Sequence, residues 1–319
     1  MPDFNAHHTR KKTTLVAKNA SNVEATPWTK EDPMTIKFIP DFLKIFLNHK
    51  NNDSRNTYTF LSKESVLGKH SMYFNLGYWE NASSDDYDLA CEALANQLAL
   101  KSGLGANDKI LDVGFGFGDQ DIYWKNKYKV AEIHGINITD TQVDIAAQRI
   151  TTLGLQRVIH LKKGDATCIE FPENTFDKVM SLESAFHYDT RETFFRESLR
   201  VLKPGGIIAI ADIIPMETSG IWPKFYAYVT RSFWQIPSKN WVTASDYKNQ
   251  IAKTGFSNIQ MTSIREQVFK PFAQYTQKRL DDEDIKKRFN PLLRIFWKIS
   301  MPYFGKNTVF DYVIITAEK

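Results

Sequence analysis

Three side chains able to move a proton stand at the ends of strand-like runs. Glu183 and His187 lie in "SLESAFHYDT", just beyond one such run, and Asp212 in "IADII" ends the next. An imidazole near its ordinary pKa can take a proton from a neutral hydroxyl, and a carboxylate at a neighbouring strand end can hold and polarise that imidazole. Glu183 sits nearer its strand end and competes for the role of base. Each also has a plainer reading: His187 packed on Tyr188, Asp212 as a turn acid, Glu183 bonded to a loop amide. Upstream, "LDVGFGFGDQDIYW" from Leu111 carries glycines at 114, 116 and 118, a loop that lets backbone pass flat against a ligand.

These residues need elements to aim them. "KILDVGF", "AEIHGINI", "RVIHLKKGD", "FDKVMSLES" and "GIIAIADII" are short runs rich in Val, Ile and Leu, with helical or irregular segments between them. Tyr87, Ala90, Leu94 and Leu98 recur at helical spacing before Gly103. Thr139 with Gln142 reads as a capping box, followed by Val143, Ala146, Ala147 and Ile150 on one face and closed by Gly154. Phe194, Phe195, Leu199 and Leu202 give another buried face, ended by "KPGG". Strands alternating with helices predict a parallel sheet covered on both sides, with ligands at the strand ends. The strand-like runs "SNIQMTSI" and "FDYVIITAE" predict an antiparallel hairpin at the far edge. The expected organisation is a disordered tail over 1–33, a helical lid over 34–84 ending in "SMYFNLGYWE", a core over 85–217, and an insertion with the final strands over 218–319.

The 319 residues are enough for one elaborated core, and 42% hydrophobic with 24% charged residues is ordinary for a soluble chain. A net charge of +4 provides no broad nucleic-acid footprint. Cys91 and Cys168 show no metal or disulfide spacing, and the first residues lack an apolar signal core, so a reducing, cytoplasmic setting is expected. His7, His8, His49, His70, His134 and His160 have no ligand spacing, and no metal is expected. No run reaches the roughly 18 apolar residues of a membrane span. The basic, aromatic stretch over 286–304 is compatible with resting on a membrane surface or covering a pocket. Tyr73, Trp79, Trp222, Phe225, Tyr226, Phe233, Trp234 and Trp241 read as packing of a helical cap or as an apolar acceptor pocket.

The glycine loop discriminates among ligands. No GxxxxGK[ST] string follows a strand, so a phosphate loop is excluded. The dinucleotide pattern GxGxxG would need glycine at 119 or 121, where Asp119 and Asp121 stand, and an acid at the second strand tip, where Asn137 stands. Asp112 followed by Gly114, Gly116 and Gly118 suits an adenosine ligand with an ammonium group, and S-adenosylmethionine is such a ligand. Asp165 in "GDAT" is placed to accept from an adenine amino group. Asp119, Gln120 and Asp121 either cap the next helix against its dipole, or Gln120 faces the methionine tail.

Asp112 to Gly118, Asp165, "FPENTFD" and "LRVLKPGG" together resemble the ordered motifs of class I S-adenosylmethionine-dependent methyltransferases over residues 85 to 217. "HGINITDTQVDIA" and "YFNLGYW" resemble segments of natural-product sugar O-methyltransferases and related lipid and prenyl enzymes. The resemblance implies an α/β, Rossmann-like fold: a seven-stranded, mostly parallel sheet with an antiparallel last strand, helices on both faces, an N-terminal helical lid and a C-terminal helical insertion. It implies cofactor contacts at Asp112, Gly114, Gly116, Gly118, Asn137, Ile138, Gln142, Asp165, Ala166 and Leu182, and a lid carrying Tyr73 and Trp79. It also implies that His187 and Asp212 act together on a hydroxyl of a small-molecule acceptor. Glu183 would serve instead in C-methylation of a prenyl or lipid acceptor; an amine acceptor, or a cofactor-binding module without turnover, is the further alternative.

Overall fold

The computed structural model describes residues 67–80, 85–288, 291–306 and 309–319. The expected tail and most of the expected lid lie outside the described residues.

Seven strands form one sheet in the order β3-β2-β1-β4-β5-β7-β6. They are β1 (Lys109–Val113), β2 (Glu132–Asn137), β3 (Ile159–Lys163), β4 (Phe176–Leu182), β5 (Leu202–Pro215), β6 (Ser257–Ser263) and β7 (Phe310–Glu318). The first five are mutually parallel, and β7 runs antiparallel to both β5 and β6. Helices α1 (Tyr87–Ser102), α2 (Asp119–Tyr128), α3 (Asp140–Thr152) and α4 (Arg191–Val201) belong to the core. The C-terminal part adds α5 (Ile221–Phe233), α6 (Ala244–Thr254), α7 (Arg265–Arg279), α8 (Glu283–Arg288) and α9 (Pro291–Lys306).

The period-two alternation of strands divides the core between the sheet faces. Ile110, Tyr312 and Ile314 pack with Leu94 and Leu98 of α1 on one face. Leu111, Val113, Val313 and Ile315 pack with Phe194 and Phe195 of α4 on the other. α1 forms as its spacing predicts: the Asp86 side chain accepts from Leu89 N, and Gly103 closes it at φ 64°. "KPGG" lies inside β5, bulged between Leu202, paired with Phe176, and Ile207, paired with Lys178.

Two expectations about the chain are corrected. β6 and β7 pair antiparallel, but helices α7 to α9 separate them, so they are not a hairpin. β7 is buried along most of its length and fits between two neighbours, whereas polar "SNIQMTS" of β6 is largely exposed and suits the edge. The second correction concerns residues 67–80, which carry no helix. Their backbone groups bond outward instead: Leu76 N to Glu183, Tyr78 N to Ala90 O and Trp79 N to Gln267 O. We refer to this segment as the strap.

α5 and α9 keep apolar faces in solvent. Ile221, Trp222, Phe225 and Tyr228 on α5, and Leu292, Ile295, Phe296, Ile299 and Tyr303 on α9, are all exposed. No helix among the described residues is long and apolar enough to cross a membrane.

Candidate active site

The loops following β1 to β4, together with the strap, enclose a cavity of about 400 Å³, a size typical of small-molecule sites. Of the residues singled out in the sequence, Gly114, Gly116, Asn137, Ile138, Gln142, Asp165, Ala166, Leu182, Glu183, His187 and Tyr73 border it. Asp112, Gly118, Asp212 and Trp79 are buried behind its wall.

The glycine loop turns through three left-handed residues, Gly114 (φ 84°), Gly116 (φ 58°) and Gly118 (φ 79°). A Cβ at Gly116 would meet nothing within 4 Å, so bare backbone faces the cavity there. A Cβ at Gly114 would lie 2.0 Å from Ser184 Oγ. Gly114→Ala therefore forces the loop and the Glu183–Ser184 turn apart, at about 1–3 kcal/mol of backbone strain. Calorimetric titration is expected to show cofactor affinity lowered about 10-fold or more.

The polar start of α2 resolves into separate tasks. Arg149 of α3 grips both oxygens of Asp119 at 2.8 Å, and the strap's Met72 N donates to Asp119 Oδ1 at 3.3 Å. Gln120 borders the cavity and donates from Nε2 to Asp112 Oδ2 at 3.0 Å. Asp121 and Asp112 are both fully buried, and each carboxyl feels the other. Two neighbouring carboxyls away from water resist ionising together. Burial pushes Asp112 up to about 7, while burial and then the charge of Asp112 push Asp121 well above its ordinary range. Asp112 thus backs the loop instead of reaching the cavity.

The expected capping box at Thr139 does not form. α3 begins after Thr139, but the Thr139 side chain makes no cap bond. Gln142 faces inward, its Oε1 accepting from Asn137 Nδ2 at 2.8 Å, because this side of the helix is buried against the site. Asp165 Oδ1 accepts from the Thr167 amide and hydroxyl, both at 2.7 Å.

Beyond β4 the chain bends at Glu183, a non-glycine residue at φ 50°. Such backbone strain is costly and concentrates at functional sites. Glu183 Oε1 accepts from Leu76 N and from Tyr312 OH, each at 2.7 Å, tying the strap and β7 to the strand end. Burial pushes its carboxyl up to about 7 against the pull of these two donors. His187 ends a short 3₁₀ turn, Ala185–His187, with its ring 4.1 Å from that of Phe186. Burial, and then the positive charge of Arg191, push its imidazole down to about 3, so it is neutral at any pH near 7.

The expected pairing of Asp212 with His187 gives way to another. Asp212 Oδ2 accepts from Arg191 Nε and Tyr247 OH, both at 2.8 Å, and Oδ1 accepts from Ile213 N at 2.9 Å. The Arg191 and Asp212 side chains are 1% and 0% exposed. A buried guanidinium outcompetes a neutral imidazole for a carboxylate because it brings a full charge and several donors.

Trp79 is an anchor, not a cavity residue. Its Nε1 donates to Leu76 O at 2.9 Å, and its ring packs on Tyr275 at 5.3 Å. The expected acceptor pocket of insertion aromatics is also not what borders this cavity. Trp234 and Trp241 pack on Phe310, Tyr226 is partly buried against the core, and Trp222 and Phe225 face solvent. The Phe233 side chain lies outside the described residues. Sequence reasoning missed Arg149, Ser184, Tyr188, Arg191, Asn240 and Tyr312. Only Arg149 carried a signal, standing seven residues after Gln142 and so on the same helical face.

A family model described as a methyltransferase domain matches residues 111–210. Over 275 residues the chain is 36% identical to erythromycin 3''-O-methyltransferase of Saccharopolyspora erythraea, covering 83% of this chain and 90% of that protein. The chain belongs to the small-molecule S-adenosylmethionine-dependent methyltransferases. Solved structures with the fold of this methyltransferase include the [4+2]-cyclase SpnF (TM-score 0.64, 23% identity, covering 84% of this chain and 96% of that one). Another is geranyl diphosphate C-methyltransferase from Streptomyces coelicolor, in complex with Mg2+, geranyl diphosphate and S-adenosyl-L-homocysteine (TM-score 0.61, 16% identity, covering 88% and 98%). At these identities the likeness concerns the fold.

The cofactor of this methyltransferase is S-adenosylmethionine, and the cavity fits it. Open backbone at Gly116 would admit the ligand against the loop, and Asn137 would offer an amide to the ribose diol. Gln120 and Asp165 would stand at the two ends, toward the methionine tail and the adenine.

Proposed function

We propose that this methyltransferase methylates a hydroxyl oxygen of a small, apolar or amphipathic natural product, with His187 accepting the hydroxyl proton. The observation that carries this reading is a neutral histidine on the wall of the cavity that also holds the glycine loop. The kinship with erythromycin 3''-O-methyltransferase supports oxygen as acceptor and a natural product as substrate. The exposed apolar faces of α5 and α9, which do not border the cavity, suit contact with a membrane surface.

When bound, S-adenosylmethionine supplies an electrophilic methyl carbon and a neutral thioether leaving group. The protein's work is to aim the acceptor oxygen along the line of displacement and to receive its proton. An imidazole pushed down to about 3 is a weak base, yet it is always in its accepting form. Weakness is tolerable here: as the oxygen forms its third bond, to the methyl carbon, its proton becomes strongly acidic, so transfer runs downhill late in the reaction. The imidazolium then returns its proton to solvent. Glu183 meanwhile holds the strap through Leu76 N.

The second reading, with Glu183 as base, draws on its carboxyl near 7 at the cavity wall. The two differ in sign with pH. A Glu183 base works only as carboxylate, so activity would fall as pH drops through 7, whereas neutral His187 loses nothing until far lower pH. The expected result is that kcat/KM varies less than about twofold between pH 6 and 8 and that Glu183→Gln, whose Oε1 still accepts both strap and Tyr312 bonds, keeps turnover. An acid limb near 7 that disappears in the Gln variant would transfer the role to Glu183.

A further inference from the structure

The geometry points to Asn240 as the positioning residue for His187, clamping the turn that carries the imidazole from the far side of the insertion. This deepens, and rests on, the assignment of His187 as proton acceptor. The turn is short and can do little to hold itself. Within it His187 N donates to Ser184 O at 3.0 Å and Tyr188 N to Ala185 O at 3.2 Å. What ties it to the rest of the fold on both sides of His187 comes from elsewhere. Asn240 Nδ2 donates to Phe186 O at 3.1 Å and to Tyr188 O at 2.6 Å. One amide nitrogen thus ties the carbonyls of the two residues that flank His187 in the chain.

The clamp is itself clamped. Asn240 Oδ1 accepts from Arg191 N at 3.0 Å, and Asn240 O accepts from the Arg191 guanidinium, which also donates to Ile213 O at 2.9 Å and to Asp212. Asn240 is 1% exposed, so no water competes for these bonds. The chemistry selects the residue type. Two donors and an acceptor must leave one short planar group, which asparagine provides and aspartate does not, having acceptors alone. Asn240 also belongs to the segment joining α5 to α6, so the insertion and the proton acceptor are mechanically joined at one side chain.

A positioning role predicts a loss confined to turnover and dependent on the imidazole. Asn240→Asp is compared with Asn240→Ser, which keeps a single uncharged donor, each alone and combined with His187→Ala. Thermal midpoint, cofactor affinity by calorimetry, acceptor KM and kcat are read for every variant. The expected result is a kcat lowered about 10- to 100-fold by Asp, and less by Ser, with cofactor affinity changed by less than about threefold. In the His187→Ala background neither substitution should lower kcat by more than about twofold further, because the group they aim is gone. Equal losses in both backgrounds would reduce Asn240 to a structural residue, as would unchanged kcat in both Asn240 variants beside an inactive His187→Ala. Full turnover in His187→Ala alone would remove the proton-acceptor assignment, and the clamp's purpose with it.

Discussion

His187→Ala is expected to bind S-adenosylmethionine as the parent does and to lose turnover on a hydroxyl acceptor by about 10²- to 10⁴-fold, the range for a positioned general base. That loss corresponds to about 3–5 kcal/mol of transition-state stabilisation. Cofactor affinity should persist because the residues expected to meet the cofactor lie mainly on the glycine loop, the β2 tip and the loop after β3, whereas His187 borders the cavity from the loop after β4. The fold should persist as well, since the turn is held by Asn240 through backbone carbonyls that alanine retains. Single-turnover measurement at saturating cofactor separates chemistry from product release. A variant that turns over at the parental rate while binding cofactor normally would exclude His187 as the base. His187→Gln is the useful companion: it can still accept a hydrogen bond but is far too weak a base to hold the proton, so it should resemble alanine in rate.

The second large effect is on stability. Arg191→Ala is expected to cost about 3–5 kcal/mol, the usual result of stranding one member of a buried ion pair. Asp212 would then keep only Tyr247 OH and Ile213 N as donors, and the carbonyls of Ile213 and Asn240 would lose theirs. The pair itself need not be worth that much, because desolvating two charges offsets most of their attraction. Hence Arg191→Met with Asp212→Leu should recover much of the loss in urea midpoint, although the recovered protein should turn over slowly if Asn240 has lost its grip on the turn. A single Arg191→Ala variant destabilised by less than about 1 kcal/mol would contradict the buried-pair account.

The sheet was legible because its signals are local. Short runs rich in Val, Ile and Leu gave the parallel strands, and three glycines in alternation marked the β1–α2 turn. Asn137, Gln142 and Asp165 could be placed because they sit at fixed distances from those strands. What escaped depends on side chains meeting across long sequence separations. Asp212 shows why: strand order puts it next to His187, but nothing in the sequence says that Arg191 and Tyr247 will take its oxygens first. Asn240 is more hidden still, 54 residues from the Phe186 carbonyl it holds. The strap misled for another reason. "SMYFNLGYWE" closes a stretch read as helix-like, but its own residues are middling to poor helix formers and its amides find Asp119, Glu183 and Ala90 as partners.

The place of β7 bears on how the chain is made. Nine residue pairs join it to β5, yet it follows every other strand of the sheet in the chain. Until residues 310–318 emerge, β1 to β5 can assemble but the far edge of β5 stays open, with Ile208, Ile210 and Ile214 unable to complete their packing against Val313, Ile315 and Ala317. A long apolar edge awaiting its partner is an invitation to intermolecular pairing. Synthesis of this enzyme therefore passes through a vulnerable interval that ends when β7 emerges, and slowing translation just before it, or starving the cell of chaperones, would cost yield while leaving the mature enzyme unchanged.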